Sequence, residues 1–230
     1  MGPASKRKKA VLLLFIMVMA PAMFLILRTG KHSFTYLPYY GEKEVNAPGD
    51  TTYYEVPPFT FTDAYGNTVT DRSTEGQIVV ADFFFTKCTS ICPIMTRQMQ
   101  QLQFKLNEPV FKDILFLSHT VDPLNDSLQV LQKYARKWQA DSSRWKFVTG
   151  DPAAIYRQGN NGYLLSALED STSAERFLHD ERFVLVDKRR HIRGYYDGTD
   201  TEEMGRLATD IKMLMKEERE RALKVGKFKE

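Results

Sequence analysis

Apolar positions along this chain change their spacing in a definite order. Residues 10–27 carry no charged side chain, the length of a bilayer-crossing helix with Pro21 as its one interruption. Residues 59–62 and 68–70 alternate apolar and β-branched positions around Ala64-Tyr65-Gly66-Asn67, which predicts a hairpin. Residues 78–85 are apolar except for Asp82, the pattern of a strand buried on both faces. Met95, Met99, Leu102 and Leu106 then recur at helical spacing from Pro93 onward. Residues 114–121 predict a second buried strand, and Asp126-x-x-Gln129 reads as a capping box for a helix carrying Leu128, Leu131, Ala135 and Trp138. A strand over 146–149 and a short helix from Asp151-Pro152 follow. Residues 183–186 and 192–196 pair around Lys188-Arg189-Arg190. Asp200-x-x-Glu203 caps a last helix with Met204, Leu207, Ile211 and Leu214 on one stripe.

Hairpin, β-α-β-α-β-α, hairpin and α is the order of an α/β fold with helices on both faces of its sheet. A βαβ unit followed by ββα predicts a thioredoxin-like fold with an N-terminal hairpin extension and an inserted hairpin, preceded by one transmembrane helix. The expected segments are a basic cytoplasmic leader over 1–9, an anchor over 10–27, an extracytoplasmic spacer over 28–58, the folded domain over 59–221 and a charged tail over 222–230. Lys6, Arg7, Lys8 and Lys9 before the apolar segment direct the bulk of the chain out of the cytoplasm. A short basic leader fits a bacterial inner membrane with the domain in the periplasm. A cleaved signal peptide is the rival reading, with Ala20-Pro21-Ala22 as its small-residue site, but residues 23–27 stay apolar beyond that cut.

Charge and composition narrow the chemistry. Lys and Arg number 32 against 29 Asp and Glu, a net +3 of mixed sign that gives no nucleic-acid surface. The alternating charges of 216–221 read as a solvated helix end. The chain has two cysteines, and they stand together as Cys88-x-x-x-Cys92-Pro93 after the apolar strand. A disulfide across four residues closes a loop too small to stabilise much, so reactivity or metal ligation explains the spacing better than stapling. Pro93 suits the first helical position, which sets Cys92 at or near the helix N-cap and Cys88 in the preceding loop. Helix N–H groups there stabilise a thiolate, with Lys87 beside them.

Two thiolates select copper(I), and an added imidazole accommodates copper(II). A structural zinc site asks for four protein ligands, and no further cysteine exists. Four histidines are available: His32 in the spacer, His119 within a strand as a core or rim residue, His191 beside the basic turn as a solvated residue, and His179 at a loop–strand junction. Spacing alone does not bring any of them to Cys88.

Several motifs together resemble the Sco/SenC family: Phe83-Phe84-Phe85-Thr86, Cys88-x-x-x-Cys92-Pro93, Val121-Asp122-Pro123, Tyr134-Ala135, Val148-Thr149-Gly150 and His179-Asp180 leading to Val186-Asp187. The likeness runs over about 59–214. It implies a membrane-anchored thioredoxin-fold protein that binds one copper ion through Cys88, Cys92 and His179, with Asp122 supporting the site. The implied task is assembly of the dinuclear copper site of cytochrome c oxidase subunit two, with copper received from a donor chaperone. The same sulfurs would also serve a thiol-disulfide oxidoreductase that reduces the partner's cysteines before metallation. A peroxidase of peroxiredoxin type is disfavoured by the spacing. Asp180 departs from the serine common in the family at that place, and 158–176 match least.

Overall fold

The computed structural model describes residues 15–19, 21, 36–47, 50–165, 167–169 and 177–227. Of the expected anchor only 15–19 and 21 are described, in helical conformation; the rest of 10–27 lies outside the described residues. Among the described residues no helix is long and apolar enough to cross a membrane.

Within the unit that begins at Tyr36, the strands are β1 (Lys43–Ala47), β2 (Asp50–Tyr53), β3 (Thr60–Asp63), β4 (Thr68–Thr70), β5 (Ile78–Phe84), β6 (Ile114–Thr120), β7 (Trp145–Thr149), β8 (Ala167–Glu169), β9 (Phe177–His179), β10 (Arg182–Val186) and β11 (Ile192–Asp197). The helices are α1 (Cys92–Lys105), α2 (Leu128–Lys137), α3 (Pro152–Arg157) and α4 (Thr201–Lys227). Seven strands form one sheet in the order β11-β10-β5-β6-β7-β3-β4. β5, β6 and β7 run parallel, Ile78 opposite Ile114 and Phe84 opposite Thr120, while β10 runs antiparallel to β5 with Val184 opposite Ala81. This is the expected thioredoxin-like α/β arrangement. All residues of β5 and β6 are buried, as continuous apolar strands between two helical layers require.

Side chains alternate along β5, so the sheet has two distinct faces. On one, Phe84 stacks on Tyr134 of α2 at 5.1 Å between ring centres, and Tyr134 reaches Thr96 of α1. On the other, Phe83 stacks on His119 at 4.9 Å, and Phe61 and Tyr163 close the layer edge-on.

Three expectations are corrected. The capping box at Asp126 does not form: Ser127 takes the N-cap position without a side-chain bond, and Asp126 turns inward to the ends of β5 and β6. The spacer is in part folded structure. Leu37 and Val56 are buried, the amide of Tyr40 donates to Ile192 O (3.0 Å), that of Val56 to Arg190 O (2.9 Å), and β1 and β2 form a hairpin within the same stretch. The alternating charges of 216–221 are not all solvated either. Glu217 is buried, accepting from Arg193 (2.7 Å) and from the Leu37 amide (2.6 Å).

Arg193 explains both of the last two corrections. Its fully buried guanidinium also donates to Asp187 (3.2 Å) and to the carbonyls of Leu37 (2.6 Å) and Pro38 (3.0 Å), and lies over the Tyr39 ring at 4.2 Å. A buried cation must have its donors filled, and here the N-terminal segment and α4 fill them together. Glu217→Ala would remove one of the two carboxylates that neutralise buried Arg193 and leave the Leu37 amide without its acceptor. The expected loss is about 1–3 kcal/mol, read as a lowered midpoint of urea unfolding, with Glu217→Gln losing distinctly less.

Candidate metal centre

The cysteine pair sits where β5 passes into α1. Phe85 follows the strand, the Cys88 amide donates to Phe85 O (3.3 Å), and α1 opens at Cys92 with Pro93 in its first turn. The Cys92 amide donates to Cys88 Sγ at 3.3 Å, so the helix N-terminus points a free-end N–H at that sulfur, as expected from the spacing. Both cysteines are buried and in the thiol form. They are nonetheless unequal. The Cys92 thiol is pushed well above the ordinary cysteine value, first by its hydrogen-bond partner Cys88 and then by burial. Its carbonyl accepts from Thr96 Oγ1 (2.7 Å), whose hydroxyl meets Tyr134 OH (2.8 Å). The first turn of α1 is thereby tied to α2. Lys87 is exposed beside the pair.

A second loop is stitched alongside. Val121 donates to Phe84 O at 2.9 Å, and the buried Asp126 carboxylate accepts from the Thr86 amide (3.1 Å), Thr86 Oγ1 (2.5 Å) and Thr120 Oγ1 (2.5 Å). Burial raises the pKa of Asp126 against those bonds. Sequence reading missed Asp126 in this role; the threonines at the ends of two adjacent parallel strands were the available signal. Asp122 is buried in the same loop. Both its oxygens accept from Asn125 Nδ2 at 2.9 Å and its amide donates to Thr120 Oγ1 (3.1 Å), so it shapes the loop.

The histidines separate. His179 ends β9, its backbone opposite Ala167; its side chain lies outside the described residues. The topology brings its segment to the cysteine end of the sheet. The register sets the start of β10 beside the C-terminal half of β5, and Gly198 donates to Glu181 O at 2.7 Å. A Cβ at Gly198 would meet Glu181 O, Phe183 and Met95 of α1 at 2.9–3.1 Å, so glycine permits that close approach. Asp180 is committed to Arg182 through both carboxylate oxygens. Residues 158–162 form one wide helical turn, after which β8 and β9 pair as a hairpin. His119 lies on the Phe83 face, opposite to α1 and Cys92. Its Nδ1 donates to Asp82 O (3.2 Å), and Nε2, which then carries the lone pair, has no hydrogen-bond partner among the described residues. His191 corrects its reading as a solvated residue: it is buried, with Nδ1 on Tyr54 O (3.0 Å) and its ring against Tyr39 and Tyr53. His32 lies outside the described residues. Among the described residues no three His, Cys, Asp or Glu side chains cluster as a complete metal site. Two adjacent sulfurs are a fitting soft donor pair.

A family model described as SCO1/SenC matches residues 48–216. A Bacillus subtilis protein described as an SCO1 protein homolog is 31% identical over 163 residues, 71% of this chain and 84% of its own. Among solved structures, BsSco, described with a disulfide switch and as a member of the Sco family of cytochrome c oxidase assembly proteins, superposes with a TM-score of 0.63 at 30% identity, covering 71% of this chain and 94% of that one. A copper-bound ScoI from Bradyrhizobium japonicum shares the fold at 22% identity, with a TM-score of 0.57 over 70% of this chain and 99% of its own.

Burial holds the His119 pKa down to about 4. The folded value lies below the unfolded value of about 6.5, so the unfolded chain takes up the proton first as pH falls. Stability is therefore expected to drop by roughly 3 kcal/mol between about pH 6.5 and pH 4 from this group alone. His119→Phe, which keeps a ring against Phe83, is expected to remove most of that slope in unfolding free energies measured at pH 7 and pH 4.5.

Proposed function

This chain belongs to the SCO1/SenC family, and from that premise we propose that it carries one copper ion on Cys88, Cys92 and His179 and delivers it during assembly of the dinuclear copper site of cytochrome c oxidase subunit two. The observation that carries the reading is the pair of buried sulfurs at the start of α1, one receiving the helix amide. Copper is the cargo. Soft thiolates hold copper(I), and an imidazole extends the site to copper(II). Thr96 and Tyr134 fix the helix turn that bears Cys92, and Asp126 fixes the strand end that leads to Cys88. The copper-bound relative and the oxidase-assembly description of BsSco support the cargo and the partner class. A donor chaperone would load the site.

A second reading keeps one supporting observation. Cys88 and Cys92 are mutual hydrogen-bond partners, and BsSco is described with a disulfide switch. As a reductase the pair would pass two electrons and two protons to a partner disulfide, itself becoming a disulfide and leaving the partner as two thiols. That chemistry does not require His179; a copper carrier of both oxidation states does.

His179→Ala is expected to keep most copper(I) binding and to abolish or grossly alter the copper(II)–thiolate charge-transfer bands. Cys88→Ser and Cys92→Ser are each expected to lose both oxidation states, whereas His119→Ala and His191→Ala change neither. An unaltered copper(II) spectrum in His179→Ala would assign the nitrogen ligand elsewhere.

The uncharged stretch 10–27 after four basic residues supports a retained anchor in a bacterial inner membrane, with the folded unit in the periplasm. A reporter active only outside the cytoplasm, fused after Leu37, is expected to give signal while the full chain stays with membranes through an alkaline wash. Recovery of a soluble chain beginning near Met23 would show cleavage instead.

A further inference from the structure

The loop held beside the cysteine pair is rigid, yet it displays the most exposed large hydrophobic side chain among the described residues, Leu124 at 85%. Asp122, Asn125 and Asp126 lock the backbone on both sides of it, and Val121 and Asp126 fasten that backbone to Phe84 and Thr86, four and two residues before Cys88. Across the pair, Ile94 is 46% exposed on the first turn of α1, two residues after Cys92. Because the loop backbone is already pinned, covering Leu124 costs side-chain rotamer freedom but little backbone entropy. Lys87 precedes Cys88, and Arg97 shares the exposed helix face of Ile94 at i, i+3 spacing. Both are exposed, and among the described residues neither has an ion-pair partner.

We propose that Leu124 and Ile94, flanked by Lys87 and Arg97, form the docking rim through which a copper-accepting protein is brought to the cysteine pair. This proposal rests on the copper-delivery reading. The occupant is a partner protein presenting an apolar contact bordered by carboxylates. The two exposed cations favour acidic neighbours and speed their encounter, while the two apolar side chains supply the contact once water is excluded. Leu124 lies on the loop bonded to the residues just before Cys88, and Ile94 lies two residues after Cys92, so docking there would bring an acceptor thiolate to the pair. The contact is small and suits a transient complex that must release its partner after transfer.

The test uses the copper-loaded protein and, as acceptor, the reduced copper-free soluble domain of cytochrome c oxidase subunit two, with transfer followed by loss of the donor's charge-transfer band. The Ile94→Ser/Leu124→Ser double variant is expected to hold copper with unchanged affinity against a chromophoric chelator but to transfer it about tenfold more slowly, equivalent to about 1.4 kcal/mol. Arg97→Glu is expected to slow transfer most at low salt and to flatten its salt dependence. Wild-type transfer matched by the double variant would overturn the rim and leave the delivery reading standing. A wild-type protein that holds copper but transfers none would overturn both. Weaker copper binding in the double variant would make these residues part of the site itself. A concentration-dependent dimer abolished by the same substitutions would assign the rim to a second copy of this chain.

Discussion

One buried carboxylate holds the two halves of the site together. Asp126 accepts three hydrogen bonds from Thr86 and Thr120, the residues that leave the ends of neighbouring parallel strands. Parallel strands diverge into their connections at this end, and nothing in a βαβ unit requires two successive loops to stay side by side. A carboxylate buried without partners would be costly, so the loops must stay closed around Asp126 for it to keep its donors. The cysteine loop and the Leu124 loop are therefore positioned by the same group. The ordinary place for a ligand in an open α/β sheet, beyond the carboxyl ends of its strands, becomes a fixed surface here.

The parts of this arrangement that sequence conveyed are those set by local periodicity. β5 and β6 announce themselves as unbroken apolar runs, and the methionine and leucine stripe of α1 returns buried as Met95, Met99, Leu102 and Leu106. Cys88 and Cys92 were legible because proline fixes where the helix begins. What stayed hidden depends on partners far away in the chain. Asp126 occupies a position suited to a helix cap, and only the threonines at two strand ends show why it turns inward. His191 follows a basic turn and reads as solvated, but residues 39–54 cover it. Glu217 lies among alternating charges that match a wet helix surface, and Arg193, twenty-four residues earlier, draws it inside.

The Arg193 cluster gives the fold a second cross-link, between the segment leading into the domain and the sheet edge. Leu37 and Pro38 offer carbonyls, Tyr39 offers its ring, and Glu217 reaches the Leu37 amide from α4. In a buried ion network of this kind desolvation offsets much of the Coulomb gain, so its presence is weak evidence for net stability. Here the arrangement fixes where the folded unit begins. On the proposed anchored reading, the chain leaves Leu37 at a definite place on the edge made by β10 and β11 instead of trailing from a loose end.

The inequality of the two sulfurs bears on which of the two chemistries suits the pair. Cys88 lies in the loop and receives the Cys92 amide; Cys92 is fully buried beneath it, with its carbonyl tied through Thr96 to Tyr134. A reductase cycle needs the second thiol to ionise after a mixed disulfide forms at the first. In the resting pair the hydrogen bond to Cys88 and then burial raise the Cys92 pKa, and a mixed disulfide at Cys88 would remove the larger of these causes, leaving burial as the remaining obstacle. A metal cation changes the balance directly: its charge stabilises both thiolates at once and offsets the burial that opposes them. On the proposed copper-delivery reading, the slightly exposed Cys88 is the sulfur an incoming donor would reach first, with the fully buried Cys92 released after it. Stepwise release of that kind suits the proposed hand-over of the ion.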